Sequence, residues 1–179
     1  QRIERLITDY SQILKDEVAL SKEKMKKINL KLIVRSVVDD FNNIYEAKRG
    51  IKIILNEQNN QEEYFIHGIE NRIEQIIANL LDNSISFSED NKKILVEIYK
   101  DENQKTILRV VDEGKGFKET NTKKIFDRFY SNRPDNFGEH SGLGLNIVKN
   151  LVDLHGGTIN ASNNIEQKGA NVEIVFPKS

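Results

Sequence analysis

RIEQIIANLLDNSISFS, residues 72–88, carries two stripes where an ordinary surface helix carries one. Ile73, Ile76, Ile77, Leu80 and Leu81 recur at helical spacing and predict an amphipathic helix whose apolar face enters a core. Gln75, Asn79, Asp82, Asn83 and Ser86 form a second, polar stripe that borders the apolar one instead of lying opposite it. Asn79 and Asn83 stand one turn apart. Each carboxamide offers a neutral oxygen to a hard cation and N–H donors to anionic oxygens, which is what magnesium carrying phosphates requires. A solvated helix edge has the same pattern, so this helix alone leaves both readings open.

Working outward, Asn29 can cap a helix in which Leu30, Ile33, Val34, Val37, Phe41, Ile44 and Tyr45 share a core-facing side, ended by Gly50. Ile51 to Leu55 predicts a strand, residues 57–63 a polar loop, and Tyr64 to Ile66 a short strand feeding the 72–88 helix. Lys93 to Lys100 and Thr106 to Val111 predict a hairpin around Asp101, Glu102 and Asn103, and Gly157 to Ala161 and Ala170 to Phe176 a second pair of strands. Between the pairs runs a helix from about Leu143 to Leu154, closed by His155, Gly156 and Gly157; His155 reads as a cation favoured by the helix dipole. Without regular βαβ alternation, the elements predict an α/β (α+β) two-layer sandwich: a mixed, largely antiparallel sheet packed on about three helices. At the front, Ile3, Leu6, Ile7, Tyr10, Ile13 and Leu14 mark an N-terminal helical extension with a narrow seam, suited to a coiled-coil partner or to docking on the body. Ser21 to Lys27, SKEKMKK, reads as a charged connector.

Composition bounds the function. The 179 residues include 27 basic and 28 acidic side chains, a formal charge of −1, so nucleic acid is an unexpected partner. There is no cysteine, which excludes disulfides and thiolate metal sites and suits a reducing cytosol. No signal peptide is visible and no apolar run approaches the roughly 20 residues that span a bilayer, so no membrane contact is expected of this piece. The seam is already under way at Gln1, which suggests part of a longer chain.

The glycine clusters carry the chemistry. Val110-Val111-Asp112-Glu113-Gly114-Lys115-Gly116-Phe117 stands at a strand end, where a carboxylate can accept from an exocyclic amine such as that of adenine and glycines allow close backbone approach; it is also an ordinary turn. Phe126 to Tyr130 is an aromatic anchor before Ser131 to Ser141, a polar stretch with the character of a hinged lid. Arg128 and Arg133 could meet a phosphate tail or be solvated. Ser141-Gly142-Leu143-Gly144-Leu145 then opens a helix whose free N–H groups and dipole suit an anion. No GxGxxG follows a first strand and no GxxxxGK[ST] occurs.

In this order, Asn79 and Asn83, Asp112-Glu113-Gly114-Lys115-Gly116, Phe126-Asp127-Arg128-Phe129 and Gly142-Leu143-Gly144-Leu145 resemble the N, G1, F and G2 boxes of sensor histidine kinases. The resemblance implies the Bergerat-type ATP-binding fold of the gyrase, Hsp90, histidine kinase and MutL superfamily over residues 25–179. It implies that residues 1–24 are the second helix of a dimerisation and phosphotransfer hairpin with its connector. The lid sequence from Arg128 to Pro134, with Gly138 to Ser141, is similar to the ChvG/ExoS type of membrane sensor kinase. The implied cofactors are ATP and Mg2+. Asn83 would hold the metal, Asn79 the metal or the phosphates, Asp112 would read the adenine amine, Gly114 and Gly116 would admit the base, and Phe87 would lie beside it. Arg128, Arg133 and the backbone of Gly142, Leu143, Gly144 and Leu145 would meet the phosphates. The implied partners are a second copy through the hairpin, a phosphoacceptor histidine domain and a response regulator, in the cytoplasmic part of an inner-membrane sensor.

Asn79 stands where the ATPase relatives carry a glutamate as general base for water. An amide cannot serve as that base, which favours transfer over hydrolysis. Two departures stand against the pattern. Ser86 replaces a common phosphate-binding lysine, which suits a nucleotide-binding regulatory module without transfer as an alternative. None of His67, His140 and His155 has the surroundings of the phosphoacceptor, so no catalytic residue is expected in this chain and it should not phosphorylate itself.

Overall fold

In the computed structural model, residues 24–57, 61–117, 122–127, 144–164 and 168–178 are described. The predicted N-terminal helix, the first three residues of the connector and the lid lie outside them. Asn29 does cap a helix: its side chain accepts from the Lys31 N–H, and α1 (Leu30–Arg49) runs on to Gly50, whose left-handed conformation turns its N–H onto the Glu46 carbonyl. Ahead of it, Lys26 and Lys27 are not connector but the start of strand β1 (Lys26–Asn29), antiparallel to β3 (Phe65–Gly68). The strand exists because β3 offers a ladder, and two exposed lysines gave no pattern from which to foresee it.

Between these lies β2 (Lys52–Glu57), and after them α2 (Glu70–Phe87), β4 (Lys93–Lys100), β5 (Thr106–Asp112), a 3₁₀ turn (Thr122–Phe126), α3 (Gly144–Leu154), β6 (Thr158–Asn163) and β7 (Ala170–Phe176). The main sheet has the order β2-β4-β5-β7-β6. β2 and β4 are parallel and the other pairs antiparallel, as a mixed, largely antiparallel sheet requires. Three α-helices occur among the described residues, and none is long and apolar enough to cross a membrane.

Strand alternation sends Ile94, Val96, Ile98, Leu108, Val110, Val172 and Ile174 inward, onto Ile73, Ile76, Ile77, Leu80 and Leu81 of α2 and Val148, Leu151 and Val152 of α3. The opposite face carries a polar row in register, Glu97 beside Arg109 beside Glu173. Arg109 reaches Glu97 at 3.5 Å and donates to Asn171 Oδ1 at 3.0 Å. The α1 stripe is core from Leu30 to Val38, but Ile44, expected inside, is 55% exposed. It lies on the Ile33 flank of the stripe, whereas at this level of the helix the residues packed against the core are Phe41 and Tyr45, on the other flank. Two residues before Ile44, Asn42 holds both backbone groups of Ile53, donating to its carbonyl at 3.0 Å and accepting its N–H at 2.8 Å.

Candidate nucleotide site

α2 begins without a side-chain cap at Ile69. The Ile69 N–H instead donates to His155 Nε2 at 3.2 Å, and the other ring nitrogen, Nδ1, lies 2.7 Å from the Leu151 carbonyl. That pairing makes Nδ1 the protonated nitrogen and Nε2 the acceptor, a neutral ring. His155 is 4% exposed, and burial pushes its pKa below the ordinary histidine value, the Leu151 hydrogen bond opposing. The cationic role expected of it is therefore overturned: the ring meets the end of α3 as a neutral group.

The same contact sets the register of the site. α2 and α3 pack together with the start of one against the end of the other, hence antiparallel. The 11 residues of α3 span about 16 Å. An equal run along α2 from Ile69 reaches Leu80, between Asn79 and Asn83. Gly144 and Leu145, in the first turn of α3, thus come level with the two carboxamides. Among the described residues, a Cβ on Gly144 would meet no atom within 4 Å. Asn79 is half-buried and Asn83 only 7% exposed, deeper than a helix edge suggests.

The far end of α2 is held by Arg49, whose Nη1 donates to the Ile85 carbonyl at 2.8 Å and Nη2 to that of Ser88 at 2.6 Å while Nε pairs with Asp90 at 2.7 Å. The arginine supplies the cation that the helix's own last turn lacks. Ser86, in place of a lysine, donates its hydroxyl to the Asp82 carbonyl at 2.8 Å.

Asp112 ends β5 at 2% exposure. Its Oδ1 accepts from the Gly114 N–H at 2.9 Å and the Ala170 N–H at 3.1 Å, and no described residue donates to Oδ2. Burial raises its pKa above the usual carboxylate value, the two backbone donors opposing. The glycines beside it answer to the protein itself. A Cβ on Gly114 would lie 2.6 Å from the Phe87 carbonyl oxygen, and Gly116, at φ +79°, would place one 2.6 Å from Asn163 Oδ1. Phe87 stands edge-on to Phe117, ring centroids 6.2 Å apart.

Arg128, Arg133, Gly142, Leu143, the lid and His140 lie outside the described residues. At the lid's borders, Asn146 in α3 donates to the Phe126 carbonyl at 3.0 Å. Sequence reasoning missed Arg49, Asn163 and Gly169. Gly169 is unavoidable, since a Cβ there would fall 1.9 Å from the Asp112 carbonyl oxygen. Its place just before a strand was the available signal.

Among the described residues no cluster of three or more His, Cys, Asp or Glu side chains could hold a metal ion. Two neutral carboxamides suit a cation that brings its own anions, which fits magnesium on a polyphosphate.

Residues 68–179 match the histidine kinase-, DNA gyrase B- and HSP90-like ATPase family. The chain belongs to that family. It is 33% identical to the sensor protein ChvG of Rhizobium meliloti over 169 residues, which is 91% of this chain and 29% of that protein. The chain therefore spans under a third of this relative. The catalytic domain of the histidine kinase ThkA superposes with a TM-score of 0.74 at 27% identity, covering 87% of this chain and 97% of that one. A structure of ThkA in complex with the response regulator protein TrrA gives 0.74 at 25% identity, covering 97% and 48%. Family membership and fold agree with the order of the boxes and with the sandwich expected from the sequence.

Proposed function

We propose that this chain is the ATP-binding catalytic part of a sensor histidine kinase, which binds Mg-ATP and delivers the γ-phosphoryl group to a histidine on a phosphoacceptor helix, for relay to a response-regulator aspartate. Residues 25–179 are the ATP-binding domain and residues 1–24 the end of the dimerisation hairpin with its connector, in the cytoplasmic part of an inner-membrane sensor. The observation that carries the reading is Asp112: a carboxylate buried at a strand end, with one oxygen held by two backbone donors and the other left to accept. Such an acceptor suits the exocyclic amine of adenine and rejects the guanine carbonyl at that place.

Asn79 and Asn83 receive the phosphates and their cation, with the first turn of α3 giving N–H groups and a positive dipole end to the same oxygens. Bound there, the magnesium ion would neutralise charge on the phosphates. Nothing in the pair can take a proton from water, so ATP is kept from hydrolysis until an acceptor arrives. The likeness to ThkA, which forms a complex with a response regulator, supports the relay partner.

Calorimetric comparison of ATP and GTP analogues, with and without magnesium, tests the reading. Preference for ATP that depends on magnesium supports it; equal binding of both nucleotides removes Asp112 from the adenine role.

A further inference from the structure

Residues 113–117 leave β5 and belong to no strand, yet they are pinned at both ends. At the near end the Gly114 N–H donates to Asp112 Oδ1 at 2.9 Å. At the far end one side chain takes both backbone groups of Phe117: Asn163 Oδ1 accepts its N–H at 2.6 Å, and Nδ2 donates to its carbonyl at 3.0 Å. The amide supplies a whole ladder rung to a residue that has none, and the two bonds together fix which way it points. Asn163 is in turn the register partner of Ala170, whose N–H donates to Asp112 Oδ1 at 3.1 Å. A single rung of the β6–β7 pair therefore grips the loop twice, through Ala170 at Asp112 and through Asn163 at Phe117. Gly116 must be glycine for the loop to close on this amide.

We propose that Asn163 is a positioning residue for base recognition, holding the Phe117 peptide so that the loop and the Phe87–Phe117 pair stay in line with Asp112. The inference rests on the adenine reading of Asp112. A side chain that only stabilised the fold would, when removed, weaken every nucleotide alike. One that positions the base pocket changes the choice between bases. Asn163 is exposed at the end of an edge strand, so alanine there leaves the core untouched.

The test titrates wild type, Asn163→Ala and Asn163→Asp with magnesium complexes of ATP and GTP analogues and follows thermal unfolding without nucleotide. Asn163→Ala should bind the ATP analogue about tenfold more weakly. Its GTP affinity should stay near that of wild type, so that the preference collapses, with the unfolding temperature lowered only modestly by the unpaired Phe117 peptide groups. Asn163→Asp keeps the acceptor for the Phe117 N–H and should retain part of the preference. If Asn163→Ala keeps the wild-type ratio, or loses both affinities in equal proportion, the inference is overturned while the reading of Asp112 stands. If wild type does not discriminate, both fall.

Discussion

Asp112 is a stability liability at the proposed base-binding position. Burial makes its ionised form costly, so the unliganded protein keeps the favourable protonated state below the usual carboxylate range and loses stability as pH rises through the raised value. Asp112→Asn can still accept from Gly114 and Ala170 without that loss. Its unfolding temperature should therefore match wild type near pH 4 and exceed it near pH 7, measured by thermal unfolding without nucleotide. The same substitution should weaken ATP binding by about 1–3 kcal/mol, the cost of a lost buried hydrogen bond. An unfolding difference that grows toward acid would contradict the burial argument. Asn83→Ala and Asn83→Asp should both remove the magnesium-dependent part of nucleotide affinity while leaving the circular dichroism spectrum intact. Wild-type affinity in magnesium would take Asn83 out of the metal role.

At the scale of elements, the His155 contact between α2 and α3 sets where the site forms. Its depressed pKa means that the stability due to the neutral ring is present above the ordinary histidine value and is lost as pH falls below about 6.5. Measured in denaturant against His155→Gln, which has no group to titrate there, wild type should lose relative stability between pH 6.5 and 5. His155→Ala should cost about 1–3 kcal/mol through the unpaired Ile69 N–H, with nucleotide affinity falling as the register of α3 against α2 loosens. The helices and strands with clear periodicity were legible: α2, the β4–β5 hairpin and the α1 cap at Asn29 follow from local pattern. β1 was not, because two exposed lysines become strand only when β3 arrives. Ile44 was misplaced because periodicity gives the angle of a residue on its helix but not which flank of the stripe the core covers, and near this end of α1 it covers Phe41 and Tyr45. His155 looked like a dipole partner because a helix C-terminus is visible in sequence, whereas the uncapped start of α2 that takes its nitrogen lies 86 residues away. The Asn163 clamp on Phe117 was illegible for the same reason, spanning 46 residues with no motif.

For the whole molecule, the ordered boxes, the mixed sheet and the family match converge on an ATPase-family domain; in the proposed site, α2 and the β5 end are the walls and the start of α3 meets the phosphates. Among the described histidines, His67 is exposed on β3, ahead of α2, and His155 is buried at the end of α3 remote from Gly144. Both lie at the end of the α2–α3 pair away from the proposed phosphate position. Incubation with γ-labelled ATP should leave this chain unlabelled. Addition of a separate hairpin domain bearing an acceptor histidine should give weak labelling in trans, since the effective concentration of a tether is missing. Acid-labile label on the chain alone would make His140 the first residue to mutate. The central claim is met most directly by one calorimetric titration with a non-hydrolysable magnesium–ATP analogue. The account predicts saturable binding with one nucleotide per chain, lost on removal of magnesium; absence of binding at millimolar nucleotide with magnesium present would contradict it.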